Sequence, residues 1–406
     1  MAARRCIVVG AGLAGLRAAQ VLAAAGSELT VFESAERPGG RVASSRVDGY
    51  RIDAGFQLLN PAYPQAGRAL DLGRLDLGAF EPGLVVAGDG PTLALSDPLR
   101  RPLRALPDLR HLPGPVLGRL RLGALLARLR LGSAAWLRSG PDATAEAWLA
   151  GHGVDRALVD DVLRPFLAGV LLESKLESSG RLVGLLLRSF LRGLPALPAE
   201  GMAAIPAQMA AGLPEGALRC AEAVAQVGPR HVVLADGERL HADDVIVAVE
   251  RSAAERLLDL PALAARAVTT FWFAGAEPSA RGARLVADRA GSPLVNSVEV
   301  TAAAPSYAPP GRRLYAASAL GRPGAGAEAA VRSRLADAHS VGASGLELVA
   351  VSEVPEALPV CRPPLDLHRG IDLDGVLLAG DHMATPSIQG ALASGERAAR
   401  TALARR

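Results

Sequence analysis

Aromatic residues are scarce in this chain: Phe, Trp and Tyr make up 3% of 406 residues. Recognition of single-stranded nucleic acid rests on stacking platforms interleaved with basic side chains, and the most basic stretch has almost none. Lysine is nearly absent as well. Lys175 is the only one, and every other member of the Lys+Arg set is arginine. With so many alanines, this reads as a GC-rich coding bias, and Lys175 as a surface residue. The three cysteines, Cys6, Cys220 and Cys361, are scattered, with no C-x-x-C and no disulfide framework. A reducing cytosol suits them. No apolar run reaches the length of a membrane span, since Leu182 to Leu191 is broken by Arg188. Met1 to Arg5 lead straight into an apolar strand, so no signal peptide is expected. There is no catalytic triad, no H-E-x-x-H and no cluster of metal ligands, so no metal site is expected. Half the residues are apolar, and the core is built from Leu, Val and Ala in a chain long enough for two domains.

What is present is most informative near the start. Cys6-Ile7-Val8-Val9 runs into Gly10-Ala11-Gly12-Leu13-Ala14-Gly15, a G-x-G-x-x-G turn, and Glu33 follows Gly10 by 23 residues. Gly10 permits the tight turn, Gly12 lets backbone approach a pyrophosphate, and Gly15 lets the helix pack on the strand. The first helical N–H groups, around Leu13 and Ala14, carry the positive end of the helix dipole toward phosphate. Gly26 stops the helix, Glu28-Leu29-Thr30-Val31-Phe32 reads as the second strand, and Glu33 stands where a carboxylate accepts from the hydroxyls of an adenosine ribose. Strand, helix, strand and terminal acid together indicate a dinucleotide site.

Two further segments narrow the choice. Arg37-Pro38-Gly39-Gly40-Arg41-Val42 follows Glu33, and Asp53-Ala54-Gly55-Phe56-Gln57 follows that. The paired glycines make an open loop, and Arg41 offers a planar, multiply donating cation suited to a diphosphate. More than three hundred residues later, Val376-Leu377-Leu378-Ala379 leads into Gly380-Asp381, and Ser387-Ile388-Gln389-Gly390 reads as a helix start. With these motifs the chain resembles the flavin-dependent amine oxidase and phytoene desaturase superfamily, and its departures from the amine oxidases, given below, set the resemblance nearer the desaturase-like members.

The resemblance implies FAD. It implies that Gly10, Gly12, Leu13, Ala14 and Gly15 meet the diphosphate, and that Glu33 and Ser34 meet the ribose. Gly39, Gly40 and Arg41 form the second phosphate loop, and Phe56 and Gln57 approach the ring. It also implies that Val224 contacts adenine through its backbone. Gly380 and Asp381 hold the ribitol, and Ser387, Ile388 and Gln389 turn a helix N-terminus to the pyrimidine edge, where a reduced flavin carries negative charge. Gly201-Met202-Ala203-Ala204-Ile205-Pro206 resembles the family's G-M-x-x-[IL]-P segment.

The expected fold class is α/β: a discontinuous Rossmann-like FAD-binding domain interleaved with a mixed α+β substrate domain. The FAD domain takes 1–61, 201–259 and 372–406; the substrate domain takes a helix-rich segment, 62–200, and a second segment, 260–371. Between the outer motifs, Ala223 to Val227 and His231 to Leu234 read as paired strands, Asp236-Gly237 as a hairpin turn, and Asp243 to Val249 as a buried parallel strand. Phe271-Trp272-Phe273 reads as a strand of the substrate domain's sheet. Asp160, Asp161 and Glu173 read as acids on helix surfaces.

Flavin chemistry asks little of side chains beyond orientation, a dry pocket and charge stabilisation. His382 is the one titratable group that the C-terminal motif sets beside the flavin, as proton relay or orienter, or simply as a loop residue bonded to backbone. Two departures bear on substrate. Met383-Ala384-Thr385-Pro386-Ser387 lacks the aromatic that amine oxidases place before the C-terminal helix, and no lysine stands in the second half of the chain. An apolar, isoprenoid-like substrate oxidised by hydride transfer to flavin N5 is the expectation, with oxygen or a quinone as electron acceptor. The long glycine-rich C-terminal signature of carotenoid desaturases is missing, which argues against carotenoids themselves. The alternatives are a flavin amine oxidase, and a member that keeps the fold but binds lipid or protein without catalysis. From Leu99 to Arg138 nine arginines face one acid, Asp108. On a helix around Val116 to Leu131, Leu122, Leu125, Leu126 and Leu129 share a face framed by Arg119, Arg121, Arg128 and Arg130. The 99–138 stretch therefore suits peripheral contact with an anionic membrane as well as a solvated helix, in an otherwise cytoplasmic protein.

Overall fold

The strand Arg5–Val9 is buried from Cys6 onward on both faces, and it occupies the middle of a six-stranded sheet. A continuous run of β-branched residues is what a parallel strand covered on both sides requires. The computed structural model describes residues 4–98, 100–289, 293–367 and 370–405. Leu99, where the basic stretch was expected to begin, lies outside them, as do residues 1–3 and 406, the outermost ends of the expected FAD domain. The strand order is Asp372–Leu373, Val376–Leu378, Asp244–Val247, Arg5–Val9, Glu28–Phe32, Leu218–Arg219. All neighbours run parallel except the first pair. Ile7 is paired with Thr30 on one side and Val245 on the other.

Cys6 and Val8 point into a core shared with Leu16, Leu22, Leu392 and Ala398 of the helices Leu13–Ala24 and Ile388–Ala404. Ile7 and Val9 point to the other face, where Val232 and Leu234 belong to a three-stranded antiparallel sheet, Val224–Gly228, His231–Leu234 and Arg239–His241. The two long helices cross closely: a Cβ on Gly395 would lie 2.0 Å from the Ala14 carbonyl oxygen.

A second sheet has seven strands, in the order Glu347–Pro359, Ala265–Gly275, Arg313–Leu320, Leu294–Glu299, Leu285–Asp288, Gly83–Ala87, Leu93–Ser96. It is antiparallel except where Leu285–Asp288 meets Gly83–Ala87. Phe271 and Phe273 face the helix Ala327–His339, and Trp272 faces the opposite way, its indole donating to Ser352 Oγ at 3.1 Å. Asp53 ties the two sheets' surroundings together. Its carboxylate accepts from Ser44 Oγ, from the Met202 N–H at 3.0 Å and from the Tyr307 hydroxyl at 2.9 Å.

Residues 102–192 form a layer of helices around a leucine cluster that includes Leu122, Leu149, Leu167 and Leu187. Two expectations need correction here. The face of Val116–Leu131 carrying Leu122, Leu125 and Leu129 packs inward on the helix Gly180–Arg192, so it is not available to a bilayer. Glu173 is not a surface acid but a buried one, 2.6 Å from the Arg266 guanidinium and accepting from the Ser178 N–H at 2.8 Å. Asp160 is indeed on a helix surface, but it is paired with Arg164 at 2.9 Å and Arg156 at 3.3 Å. Lys175 is exposed.

Candidate active site

The glycine turn at the end of the first strand separates three roles. Gly10 has φ +98°, and a Cβ there would meet the Ala248 carbonyl oxygen at 2.8 Å. At Gly15 a Cβ would lie 1.9 Å from the Gly10 carbonyl oxygen, so helix and turn are packed backbone to backbone. At Gly12, the residue preceding the helix that begins at Leu13, a Cβ would meet nothing within 4 Å. Two glycines close the turn and the third leaves open space over the N-terminus of the helix.

Glu33, directly after Glu28–Phe32, is buried and bonded on both oxygens. Oε2 accepts from the Ala11 N–H at 2.7 Å, and Oε1 from the Ala35 N–H at 2.9 Å and from Ser34 Oγ at 3.3 Å. The carboxylate is thus fixed by backbone of both the glycine turn and its own loop. The second glycine loop lies on the first: the Gly39 N–H donates to the Ala11 carbonyl at 2.9 Å, and a Cβ on Gly40 would stand 3.7 Å from Gly12 Cα. Gly39 at φ +130° and Gly40 at φ +57° make that approach.

Arg41 then joins the two ends of the chain. Its Nη2 is 2.7 Å from Asp381 Oδ1 and its Nη1 donates to the Ala357 carbonyl at 2.7 Å. Burial works against the guanidinium, but Asp381, with Glu250 and Glu356 nearby, holds its pKa above the ordinary arginine value. Glu250 lies 3.9 Å from Arg41 Nε. Burial pushes the Glu250 carboxyl up against the pull of Arg41. Glu250 lies one residue beyond the strand expected at Asp243 to Val249. The signal was its place just beyond the carboxyl end of a parallel strand, where open α/β sheets bind ligands. Glu356, on the edge strand Glu347–Pro359, had no local signal.

Gln57 donates from Nε2 to the Arg41 carbonyl at 2.8 Å, while its Oε1 is buried with no hydrogen-bond partner among the described residues. The Phe56 N–H donates to Thr270 Oγ1 at 3.3 Å and sets the loop against the seven-stranded sheet. Gly380, at φ +151°, donates to Ser394 Oγ at 2.9 Å and turns the chain into the buried Asp381. His382 is buried beside it, Nδ1 3.9 Å from Asp381 Oδ1, on a wall shared with Arg41 and Glu250. Ser387 caps the C-terminal helix by accepting from the Gly390 N–H at 3.1 Å. Ile388 opens that helix, and Gln389 Oε1 accepts from the Gln65 N–H at 2.9 Å, so its side chain is spent on a structural bond. Val224 begins the strand that flanks Phe32 and is paired with Leu234.

Buried carboxylate acceptors, an arginine donor and glycine-lined backbone with an open approach together suit an extended anion bearing a ribose. The comparisons with known proteins agree. Residues 13–277 match the family of flavin-containing amine oxidoreductases. The chain belongs to that family. Its members are FAD-dependent oxidoreductases, and FAD is the cofactor that the open glycine turn and the orphaned Gln57 acceptor fit. Among curated relatives, an L-amino-acid oxidase from Pseudechis australis is 52% identical over 54 residues, 13% of this chain and 10% of the relative. Putrescine oxidase from Kocuria rosea is 48% identical over 58 residues, 14% of this chain and 12% of the relative. These matches span only about a tenth of either relative's length. The fold is shared end to end with an oxidoreductase from Methanosarcina mazei, at TM-score 0.76 and 18% identity over 99% of this chain and 100% of the other.

Proposed function

We propose that the protein is an oxidoreductase that oxidises a C–H bond of an apolar, isoprenoid-like small molecule. The observation that carries an oxidoreductase reading is the meeting of Gly39–Arg41 with both Ala11 and Asp381, segments from opposite ends of the chain. When bound, FAD supplies the hydride acceptor. The residues proposed to hold it are the Gly10–Gly15 turn with Leu13 and Ala14, Glu33 and Ser34 at the ribose, and Gly39, Gly40 and Arg41 at the diphosphate. Val224 flanks the adenine, Gly380 and Asp381 take the ribitol, and Phe56, Gln57 and the Ser387–Gln389 helix start face the ring. His382, beside Asp381, is proposed to relay a proton.

Two features support an apolar substrate. Met383–Ser387 offers no aromatic ring ahead of the C-terminal helix, and the helical layer over residues 102–192 has a leucine interior. Oxygen or a quinone would take the electrons onward. Amine oxidation has comparable support: the local identity to an L-amino-acid oxidase and a putrescine oxidase, and the acids Glu250 and Glu356 beside Arg41, which a cationic substrate would meet.

The test starts from the visible spectrum of the purified protein and identification of the chromophore released by heat. Oxidised-flavin bands with FAD released support the oxidoreductase. Anaerobic bleaching by isoprenoid-like hydrocarbons and not by amines supports the first substrate class; bleaching by amines, with peroxide and aldehyde formed in air, supports the second. A colourless protein that FAD cannot reconstitute overturns both and favours a binding protein.

A further inference from the structure

The helix Val116–Leu131 is apolar on two opposite faces. Gly118, Leu122, Leu125 and Leu129 face inward, and at 100° per residue Val116, Leu117, Leu120, Ala124 and Leu131 fall on the far side. The second set is in solvent: Leu120 is 65% exposed and Leu131 82%. The preceding helix, Pro102–His111, buries only Ala105, and its Leu103 and Leu106 are 85% and 62% exposed. Among the described residues nine large apolar side chains are exposed, and seven of them lie between Leu103 and Leu131. They cluster on two successive helices, which meet where Arg119 Nη1 donates to the Leu109 carbonyl at 3.1 Å, and exposed apolar clusters mark interaction surfaces.

The exposed charge carried by these two helices has one sign. Arg104, Arg110, Arg121, Arg128 and Arg138 are exposed, and none has a carboxylate ion pair among the described residues. By contrast Arg100 is paired with Asp97, and Arg101 with Glu81. Asp108, the one acid in this stretch, already accepts from the Ser96 N–H at 2.8 Å. Arg121 and Arg128 border the exposed leucines on one side and Arg119 and Arg130 on the other.

We propose that these two helices dock the protein on an anionic lipid bilayer, the leucines entering the acyl boundary and the arginines meeting headgroup phosphates. Arginine stems extend along apolar surface while the guanidinium stays at the polar level, which is the arrangement an interfacial helix uses. A second copy of this chain fits worse, because it would bring the same unpaired arginines against these. The proposal goes beyond the redox reading and holds whichever substrate that site takes.

Co-sedimentation of the full chain with vesicles tests it, using phosphatidylcholine alone and phosphatidylcholine mixed with phosphatidylglycerol. Binding is expected to be stronger to the anionic vesicles and to weaken as salt shortens the electrostatic range, about 10 Å at 0.1 M. Leu117→Ser with Leu120→Ser should lower partitioning about tenfold or more on both lipids. Arg104→Gln with Arg110→Gln should lower it on anionic vesicles alone, about fivefold per arginine. These side chains are exposed, so unchanged melting temperatures verify folding, and the salt series on the unmodified protein stands even if a variant fails. Protein that stays in solution with anionic vesicles overturns the proposal. So does binding that ignores all four substitutions, or a dimer in light scattering that Leu117→Ser with Leu120→Ser splits, which would assign the patch to self-association.

Discussion

The Arg41 guanidinium and the Asp381 carboxylate lie 2.7 Å apart across 340 residues of sequence. Asp381 is buried and Arg41 mostly so, and the pair links the loop after Glu33 to the loop before the C-terminal helix. Removing one member leaves a desolvated charge behind, which costs more than the pair itself contributes. Asp381→Asn is therefore expected to lower the stability of the flavin-free protein by about 2 kcal/mol or more in urea denaturation. The same variant should leave the purification column with less flavin per protein; an unchanged ratio would remove Asp381 from the cofactor site.

Gly12 and Gly15 should fail in different ways when changed to alanine. Gly12 has φ −69°, and its added methyl would meet no atom within 4 Å. Gly12→Ala is expected to keep or slightly raise the melting temperature of the flavin-free protein, through about 0.4–1 kcal/mol of unfolded-state entropy, while FAD affinity falls. Gly15→Ala drives a methyl to 1.9 Å from the Gly10 carbonyl and should unfold the turn. Thermal melts beside FAD fluorescence titration separate the two; equal FAD affinity in Gly12→Ala would mean that the space over Gly12 is not the diphosphate's.

Glu33 carries two loads, the proposed ribose contact and the bonds to the Ala11 and Ala35 amides. Glu33→Gln keeps an acceptor for one amide and loses the charge. FAD binding should weaken by about 1.5–3 kcal/mol, the worth of a charge-assisted hydrogen bond. Glu33→Ala should lose flavin and also melt lower, because a buried amide is left without its partner. Titration of both variants at matched protein concentration reads the difference.

His339 makes the fold acid-sensitive away from the Arg41–Asp381 pair. It is fully buried, with Ser279 Oγ 2.6 Å from Nδ1 and Ser297 Oγ 2.9 Å from Nε2, and burial, aided by Arg281, pushes its pKa down to about 4. An unfolded histidine titrates near 6.5. Between these values the unfolded chain binds a proton that the folded protein does not. The stability it permits is whole above pH of about 6.5 and falls as pH drops toward about 4, where the loss levels off. Melting temperature against pH should show this slope, and His339→Gln, though less stable at neutral pH, should lack it.

What was legible in the sequence was local. The turn from Gly10 to Gly15, Glu33 at the end of its strand and the Asp381 motif are each written within a few residues, because backbone geometry demands particular residue types there. What was not legible depends on partners far away. Nothing near Glu173 announces Arg266, so a helix-surface acid was the natural reading of a buried ion pair. Val116–Leu131 failed for another reason. Leucines occur on both sides of it, and periodicity identifies an apolar face without saying which of two faces the rest of the chain will cover. Nothing near Arg41 announces the Ala357 carbonyl, 316 residues further on, that it takes in addition to Asp381.

The order of strands in the six-stranded sheet has a consequence for biosynthesis. Arg5–Val9, its centre, takes as one neighbour Asp244–Val247, which follows it by roughly the 238 residues that separate the Arg5 N–H from the Asp243 carboxylate it meets. The helix that closes on Ala14 through Gly395 is made later still. A nascent chain on the ribosome therefore holds an unpaired central strand edge for most of its elongation, and contacts of such span form slowly. The Arg41–Asp381 pair and the closing of Gly395 on Ala14 can form only after translation has passed Gly395, so any demand for chaperones during synthesis is set by the first strand.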